Sequence, residues 1–199
     1  DGIKIFDEDM NIVTRQETKT LMSGKAVEKG GFKHFMLKEI HEQPTVIGET
    51  LKSFIDPHNR NIVFPKIDFD FTNIKKLSII ACGTSSYAAM VAKNWFEKYA
   101  NIPTEVDIAS EYRYRNHAHV DNEAVIVISQ SGETMDTLMS LKYIKKHSHK
   151  AVVITNSLQS TMVREADLTI PTYAQKEVGV ASTKAFTCQI LSLANLALH

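Results

Sequence analysis

Hydroxyl side chains cluster around a glycine at residues 129–134, whose sequence is Ser-Gln-Ser-Gly-Glu-Thr. The preceding run at 124–128 is apolar and β-branched, which is typical of a buried strand, and the following segment has helical spacing. The first N–H groups of a helix lack partners and lie at the positive end of its dipole, so an anion gains hydrogen bonds there. The hydroxyls of Ser129, Ser131 and Thr134 could each donate to a phosphate oxygen, which predicts a phosphate site.

A second hydroxyl-rich turn follows an earlier apolar run at 77–82, and its sequence at 83–86 is Gly-Thr-Ser-Ser. Because serine and threonine are also ordinary helix N-caps, a single turn of this kind could be a cap and nothing more. Two such turns would meet at the carboxyl edge of a parallel sheet, where open α/β sheets bind ligands. Neither turn has the spacing of a P-loop or of a dinucleotide-binding loop.

The sequence pattern on either side of these turns predicts an α/β fold. Apolar β-branched runs alternate with segments of helical spacing, as in βαβ units. We therefore expect a doubly wound, mainly parallel sheet of five strands flanked by helices, in the flavodoxin-like order. The predicted strands are 76–82, 103–108, 124–128, 151–156 and 167–170, and the predicted helices are 85–100, 134–147, 159–165 and 182–198.

The beginning of the chain has a different pattern. Short strands at 2–6 and 11–15 predict a hairpin that is too small to be stable alone. A polar stretch with glycines at 16–31 indicates a linker. A helix should begin near His34, and Pro44 should interrupt or restart it, since proline removes a helical hydrogen bond.

The helix predicted at 182–198 is apolar nearly all the way round, which indicates burial on several sides. We expect a second copy of the chain to cover its exposed part, since large apolar patches rarely stay in water, and this predicts a homodimer. The helix reaches His199 without a stop signal, which predicts a boundary inside a longer protein.

The composition limits the possible partners. The chain has 199 residues, 43% of them hydrophobic, and its 23 Lys and Arg balance its 23 Asp and Glu. Nothing in this charge favours nucleic acid or an anionic membrane surface, and the apolar stretches are too short to span a bilayer. Cys82 and Cys188 have neither metal-binding nor disulfide-framework spacing, so we expect a cytoplasmic protein without metal or cofactor.

Several other reactive residue types have simpler explanations. We expect Cys82 to be a small buried side chain and not a nucleophile. His117 and His119 have the wrong spacing for a metal on one helix face and should lie on a polar loop. Lys184, at the start of the last helix, should be solvated.

Three motifs together resemble the sugar isomerase (SIS) domains of the amidotransferases that make glucosamine 6-phosphate. The motifs are Cys82–Ser85, Ser129–Thr134 and residues 177–187, Glu-Val-Gly-Val-Ala-Ser-Thr-Lys-Ala-Phe-Thr. Residues 34–44 resemble the stretch by which this family enters its isomerase half, and residues 2–15 are similar to the end of its glutaminase half.

The resemblance implies a domain organisation and an activity. Residues 1–24 would be the trailing hairpin and linker of a missing glutaminase domain, 25–75 a linker with lead-in helices, and 76–199 the first SIS subdomain, truncated at its C-terminus. The parent protein would isomerise fructose 6-phosphate and transfer glutamine-derived ammonia to give glucosamine 6-phosphate. The family's catalytic groups lie in the glutaminase domain and in a second SIS subdomain, so this chain would hold no catalytic residue and be inactive alone.

The resemblance also implies which residues bind the substrate. The family positions that hold the phosphate and neighbouring hydroxyls of fructose 6-phosphate are matched by Thr84, Ser85, Ser129, Gln130, Ser131 and Thr134, and those on the sugar side by Val180 and Ser182. Glucose 6-phosphate or glucosamine 6-phosphate would bind at the same place. Glu133 and Asp136 would repel a phosphate dianion and should therefore point away from it.

Two other functions stay open at this point. A sugar-phosphate-sensing domain could share the fold without catalysis, and it would lack a second SIS repeat with a glutamate base. An FMN-binding flavodoxin-like protein also has a hydroxyl-rich phosphate loop, and it would be yellow when purified.

Overall fold

The computed structural model of the chain describes residues 3–15, 28–59, 61–64, 70–118, 120–147 and 149–199. Its centre is a five-stranded sheet in which neighbouring strands are parallel, and a small antiparallel hairpin precedes it. The strands are β1 (Ile5–Phe6), β2 (Ile12–Val13), β3 (Lys76–Ala81), β4 (Thr104–Ile108), β5 (Glu123–Ser129), β6 (Lys150–Thr155) and β7 (Leu168–Pro171).

Helices cover both faces of this sheet and connect its strands. A π-helical turn, Phe96–Ala100, continues the second helix. The helices are α1 (Phe35–Phe54), α2 (Thr84–Trp95), α3 (Ala109–Tyr112), α4 (Met135–Lys146), α5 (Thr161–Glu165) and α6 (Lys184–Leu198). Within the described residues, none of the helices is both long and apolar enough to cross a bilayer.

The strand order places three strand ends at one edge of the sheet. The order is β4-β3-β5-β6-β7, so the chain runs outward from β3 to β4 and then returns past β3 to β5. This is the flavodoxin-like order, and it confirms the predicted fold class. Ala81 pairs with Ile128, and Ser129 pairs with Thr155, so β3, β5 and β6 end at nearly the same level.

Both faces of the sheet are buried, which explains the β-branched character of its strands. Successive residues of a strand point to opposite faces. Ile79 accordingly belongs to the core formed with α2 and α6, whereas Ile80 belongs to the core formed with α3 and α4. A smaller cluster joins Val46 of α1 to Ala185 and Cys188 of α6, so α1 packs mainly on α6, and Phe54 at its end joins the larger core.

Helix α1 runs through Pro44 without a break, so the predicted interruption is wrong. Proline at this position deprives the carbonyl of Ile40 of its usual helical N–H donor. The side-chain amide of Gln43 donates to that carbonyl instead, with an N···O distance of 3.2 Å. The neighbouring glutamine thus replaces the hydrogen bond that proline removes.

Other predictions about local structure have mixed outcomes. The hairpin is confirmed but is shorter than predicted, with Ile5 opposite Val13 and Phe6 opposite Ile12. Helix α3, between β4 and β5, was not predicted. Most of the predicted linker at 16–31 lies outside the described residues.

The apolar helix α6 is covered largely by the chain itself. It packs against α1 and α2, and its residues Ala185, Cys188 and Leu193 are fully buried. Leu198, near its end, is 57% exposed. The burial on several sides that the sequence predicts is therefore provided mainly by two neighbouring helices, because α1 returns from the beginning of the chain to lie beside α6.

Replacement of Leu193 by alanine tests this packing. Leu193 is fully buried in the core beneath α2 and α6, so Leu193→Ala should lower the free energy of unfolding by about 2–5 kcal/mol through lost burial and a residual cavity. Urea denaturation measures the change. Leu158→Ala is the control, since Leu158 is 54% exposed and its loss should matter by less than about 0.5 kcal/mol. Equal effects of both variants would contradict the described position of α6.

Candidate functional site

The two hydroxyl-rich turns lie side by side at the carboxyl edge of the sheet. The turn at 83–86 follows β3 and the turn at 129–134 follows β5, and these strands pair in parallel. They flank the point at which the strand order reverses, which is where open α/β sheets bind ligands. The fold therefore brings together the two turns that the sequence analysis selected.

Hydrogen bonds within the turn at 129–134 fix its shape. The Oγ of Ser129 accepts the N–H of Gly132 at 3.1 Å and lies 3.0 Å from the Oγ1 of Thr134. The Oγ of Ser131 accepts the N–H of Glu133 at 3.1 Å. Ser129 is buried, whereas Ser131 is half-buried and Thr134 is exposed. A hydroxyl that accepts a hydrogen bond can still donate one, so the more open hydroxyls remain able to bind an anion.

Gly132 is required by a close contact beneath this turn. Its φ of +66° lies in the left-handed region that favours glycine. A Cβ atom here would lie 2.1 Å from the Oγ of Ser160 and 3.1 Å from the Oγ1 of Thr155. Any side chain at this position would push the turn away from the loop that follows β6.

The N-terminus of α4 faces the same turn with its N–H groups available. Leu138 donates the first N–H bond of the helix, to the carbonyl of Thr134 at 2.9 Å, so the preceding N–H groups have no intrahelical acceptor. In the described part of the chain, the Thr134 side chain makes no capping hydrogen bond to this helix. The explanation of Thr134 as a simple N-cap is therefore not supported.

The loop after β6 supports the turn from one side. The carbonyl of Gln130 accepts the N–H of Asn156 at 3.2 Å and the hydroxyl of Thr155 at 3.3 Å. The carbonyl of Gly132 accepts the N–H of Met162 at 3.3 Å. These bonds hold the turn against α5 and leave its opposite side open.

The two carboxylates close to the turn are bound elsewhere. The Oε1 of Glu133 accepts the N–H of Thr161 at 2.6 Å, at the start of α5. This bond and a further one from the Thr161 side chain hold the pKa of Glu133 below its usual value, and the nearby Arg164 adds to the effect. Asp136 lies 3.8 Å from the guanidinium of Arg113. Both side chains thus have partners outside the turn, as expected if the turn binds a dianion.

A third loop, residues 177–183, contains the predicted residues Val180 and Ser182 and is held by Glu177. Its Oε1 accepts the N–H groups of Thr183 at 2.8 Å and of Ala185 at 3.2 Å, so Glu177 caps α6. Its Oε2 accepts the Ser182 hydroxyl at 3.1 Å. Val180 is fully exposed. Sequence reasoning missed the role of Glu177, because Thr183 is itself an ordinary N-cap residue type and its lack of a side-chain capping bond is visible only in the structure.

Lys184 is buried, so the expectation that it is solvated is wrong. Its side chain is 2% exposed, and its Nζ lies 2.8 Å from the Oε2 of Glu42 on α1. An ammonium group at the positive end of a helix is unfavourable, and a carboxylate partner offsets both this and the loss of water. The ion pair joins α1 to the first turn of α6, a contact between residues distant in sequence.

A cleft of about 570 Å³ opens at this edge of the sheet. Two of the predicted residues, Gln130 and Ser131, line it, whereas the other six do not. Thr84 and Ser85 are half-buried in the first turn of α2. Residues that the sequence analysis did not select complete the lining, and they are Glu49, Asn156, Ser157, Tyr173, Gln175, Lys176 and Glu177.

The loops after β6 and β7 form the wall of this cleft through Asn156. Its Oδ1 accepts the N–H of Ala174 at 2.8 Å, and its Nδ2 donates to the carbonyl of Gln175 at 2.5 Å. A polar residue directly after a strand is the signal that could have identified Asn156. A larger cleft, of about 710 Å³, lies at the opposite edge near Lys75, Glu123 and Lys150. Its position at the amino ends of the strands is not where such sheets bind ligands.

The cysteine and histidine residues do not belong to this site. Cys82 is half-buried against the core formed with α3 and α4, and Cys188 is fully buried, which raises the pKa of its thiol. The Nε2 of His117 lies 2.5 Å from the carbonyl of Tyr112, whose ring it stacks on. His119 lies outside the described residues. Among those that are described, no group of three or more His, Cys, Asp or Glu could hold a metal ion.

Comparison with known proteins gives consistent matches. The family model of the SIS domain matches residues 70–199. The chain is 50% identical to the glutamine–fructose-6-phosphate aminotransferase (isomerizing) of Bradyrhizobium diazoefficiens over 98% of its length and 48% identical to that of Zymomonas mobilis over its whole length. It spans only about a third of either relative, 32% and 33% respectively.

A solved structure extends this comparison to the fold. The C-terminal domain of glucosamine-fructose-6-phosphate aminotransferase from Francisella tularensis superposes with a TM-score of 0.77 at 45% identity. The match covers 85% of this chain and 48% of that one.

The parallel sheet with hydroxyl-rich turns at its switch point is the architecture of an α/β ligand-binding domain. The match over residues 70–199 shows that the chain belongs to the SIS domain family. Within that family, it is similar at 45–50% identity to glutamine–fructose-6-phosphate aminotransferases. The resemblance that the sequence motifs indicated is therefore confirmed.

The contact between Glu133 and Thr161 predicts a dependence of stability on pH. The pKa of Glu133 is lowered in the folded chain, so its contribution to stability is complete above the ordinary value of 4.5 and disappears as the pH falls through the lowered pKa. The difference in unfolding free energy between the parent and Glu133→Gln should therefore be larger at pH 7 than at pH 3. Urea denaturation of both proteins at each pH measures it.

Glu97→Gln is the matched control for this experiment. Glu97 is an exposed carboxylate on the π-helical turn, paired with Lys93 at 3.7 Å. Its replacement should alter stability little at either pH, since exposed pairs contribute little. A Glu133→Gln effect that does not change with pH would show that the ionised carboxylate does not hold the start of α5.

Proposed function

We propose that this chain binds the phosphate group of fructose 6-phosphate as the sugar-phosphate-binding part of a protein that makes glucosamine 6-phosphate. That protein would isomerise fructose 6-phosphate and transfer glutamine-derived ammonia to it. The observation that carries the proposal is the turn at 129–134, which presents hydroxyls and helix N–H groups beside the turn at 83–86. The identity of 45–50% to aminotransferases of that name supports the substrate and favours the enzyme over a sensing domain or a flavodoxin-like protein.

The proposed roles follow from the position of each residue. Ser131, Thr134 and the first N–H groups of α4 would bind phosphate oxygens. Ser129 is buried and would orient Gly132 and Thr134. The sugar hydroxyls would contact residues of the same turn and of the neighbouring loops. These residues are Thr84, Ser85, Gln130, Val180 and Ser182.

We also propose the domain division, with a glutaminase-linked hairpin at 1–24, a lead-in at 25–75 and the first SIS subdomain at 76–199. The family match at 70–199 and the separate hairpin of β1 and β2 support it. A glutaminase domain and a second SIS subdomain would be the partners of this chain. Two free cysteines fit a cytoplasmic location, which we propose as well.

Ligand-induced stabilisation tests the proposed site. Fructose 6-phosphate or glucose 6-phosphate at a hundred times its dissociation constant should stabilise the chain by about 2.7 kcal/mol, or roughly 5–10 °C in melting temperature. Unphosphorylated fructose should have almost no effect. Ser131→Ala and Thr134→Ala should each remove a hydrogen bond to a charged acceptor, costing about 1.5–3 kcal/mol and weakening binding roughly tenfold to a hundredfold. Thermal melts and isothermal titration calorimetry measure these effects.

Thr72→Ala is the control for the loop variants. Thr72 is exposed and precedes β3, at the opposite edge of the sheet, where its hydroxyl donates to Asp70. Its loss should leave affinity unchanged. Loop variants that bind fructose 6-phosphate as tightly as the parent would refute the phosphate assignment.

A homodimer is the remaining proposal about assembly. Its support is a row of exposed apolar side chains at helical spacing on the outer face of α2, namely Tyr87 at 61%, Met90 at 48% and Val91 at 39% exposure. Sedimentation should show a dimer or a larger species, and Met90→Lys should shift it towards monomer. A monomer at high protein concentration would contradict the proposal.

A further inference from the structure

A buried carboxylate on α1 holds the loop at 177–183 from behind. Glu39 is only 2% exposed. Its Oε1 accepts the N–H of Val178 at 2.6 Å and the N–H of Gly179 at 3.0 Å, and its Oε2 lies 3.3 Å from the Gly179 nitrogen. A single side chain therefore orients two consecutive peptide groups of a loop that lies about 140 residues later in the chain.

The approach is so close that a side chain at position 179 would displace the Glu39 carboxylate. A Cβ atom there would lie 2.5 Å from the Oε2 of Glu39, which is shorter than any ordinary contact. Glycine allows the loop backbone to approach the carboxylate directly. The pairing of Glu39 with Gly179 thus sets the position of Val180, the next residue.

Neighbouring residues of α1 hold the start of α6 in the same way. Glu42 pairs with Lys184 at 2.8 Å, and the Oε1 of Gln43 accepts the Thr187 hydroxyl at 2.6 Å. Glu39, Glu42 and Gln43 are spaced i, i+3 and i+4, so they share one helix face. Well-packed apolar residues often stabilise a helix contact as well as buried charged residues do. The polar face of α1 therefore points to a need to orient the loop and the start of α6, and not only to stabilise the contact.

We propose that Glu39 is a positioning residue for sugar recognition, which holds Val178 and Gly179 so that Val180 and Ser182 contact the sugar. The proposal rests on the proposed function of the turn at 129–134. In the described part of the chain, the hydrogen bonds of Glu39 go to the 177–183 loop and not to that turn. Loss of Glu39 should therefore weaken recognition of the sugar and spare recognition of phosphate.

Two ligands separate these contributions. Isothermal titration calorimetry on the 199-residue chain compares fructose 6-phosphate with inorganic phosphate. The parent should prefer the sugar phosphate, and Glu39→Ala should lose at least tenfold in affinity for it with the affinity for inorganic phosphate unchanged. The affinity of Glu39→Gln for fructose 6-phosphate should lie between those of the parent and of Glu39→Ala. Its amide oxygen can still accept the Val178 N–H, whereas its NH₂ group would face the N–H of Gly179, which is also a donor.

A second measurement reports on the loop without a ligand. Hydrogen exchange of a peptide covering 177–183 should be faster in Glu39→Ala than in the parent, and peptides covering 129–134 should be unchanged. Glu123→Ala is the matched control, since Glu123 is also a largely buried carboxylate, bonded to Ser78 and Lys76 at the amino ends of the strands. It should lower stability without changing either the ratio of the two affinities or exchange in the loop.

The outcomes separate this inference from the proposed function. If Glu39→Ala keeps the parent's ratio of affinities, Glu39 is only a structural contact. If loop exchange is unchanged, Glu39 does not hold the loop. Either result would show that the inference is wrong. If the parent binds neither ligand, or binds both equally, the proposed sugar site fails and the inference fails with it. If Glu39→Ala does not fold, Glu39→Gln provides the same test. Its ratio of affinities for fructose 6-phosphate and inorganic phosphate should be lower than that of the parent, and an unchanged ratio would show that the inference is wrong.

Discussion

The parallel pairing of β3 with β5 is the constraint on which the rest of the site depends. These strands lie at the reversal of strand order, so both connections leave the sheet at one edge, and Ala81 opposite Ile128 sets their ends level. A shift of one residue in either strand would turn Ile79 or Ile126 from one core to the other. The packing of both cores therefore determines the relative height of the two hydroxyl-rich turns, and the site needs no further contact between those turns to align them.

Close packing around the turn at 129–134 determines which groups remain for a ligand. Gly132 lies so near Ser160 that the turn cannot move towards α5, and the Ser160 hydroxyl has no hydrogen-bond partner among the described residues. An unpaired buried hydroxyl lowers stability, so the close contact between Gly132 and Ser160 has an energetic cost. In return, the carbonyls of Gln130 and Gly132 face the supporting loops, which leaves the first N–H groups of α4 and the more exposed hydroxyls for a ligand. Such preorganisation reduces the ordering that binding would otherwise require.

The sequence predicts the fold and the central turns because their signals are local. β-Branched runs, helical spacing and hydroxyls after a strand each depend on adjacent residues, and all five central strands were placed within a few residues. The errors concern contacts between distant segments. Pro44 is accommodated by the Gln43 side chain, Lys184 is buried by Glu42 on another helix, and Glu177 caps α6 from outside it. No periodicity in one segment reveals such partners, so the cleft lining was only partly predicted.

The acidic residues near the proposed site have hydrogen-bond partners within the protein, which limits their repulsion of a phosphate. Glu133, Glu177 and Glu39 each accept hydrogen bonds from backbone N–H groups of the protein, so internal donors stabilise their negative charge. The turn at 129–134 presents hydroxyls and the N-terminus of α4, which are neutral donors with partial positive charge, and Lys176 lines the cleft beside it. Arginine would hold a phosphate through stronger, charge-assisted bonds whatever was attached to it. At the proposed phosphate-binding turn, neutral donors would leave a larger share of the affinity to contacts with the sugar, and so make the position of the 177–183 loop matter for selectivity.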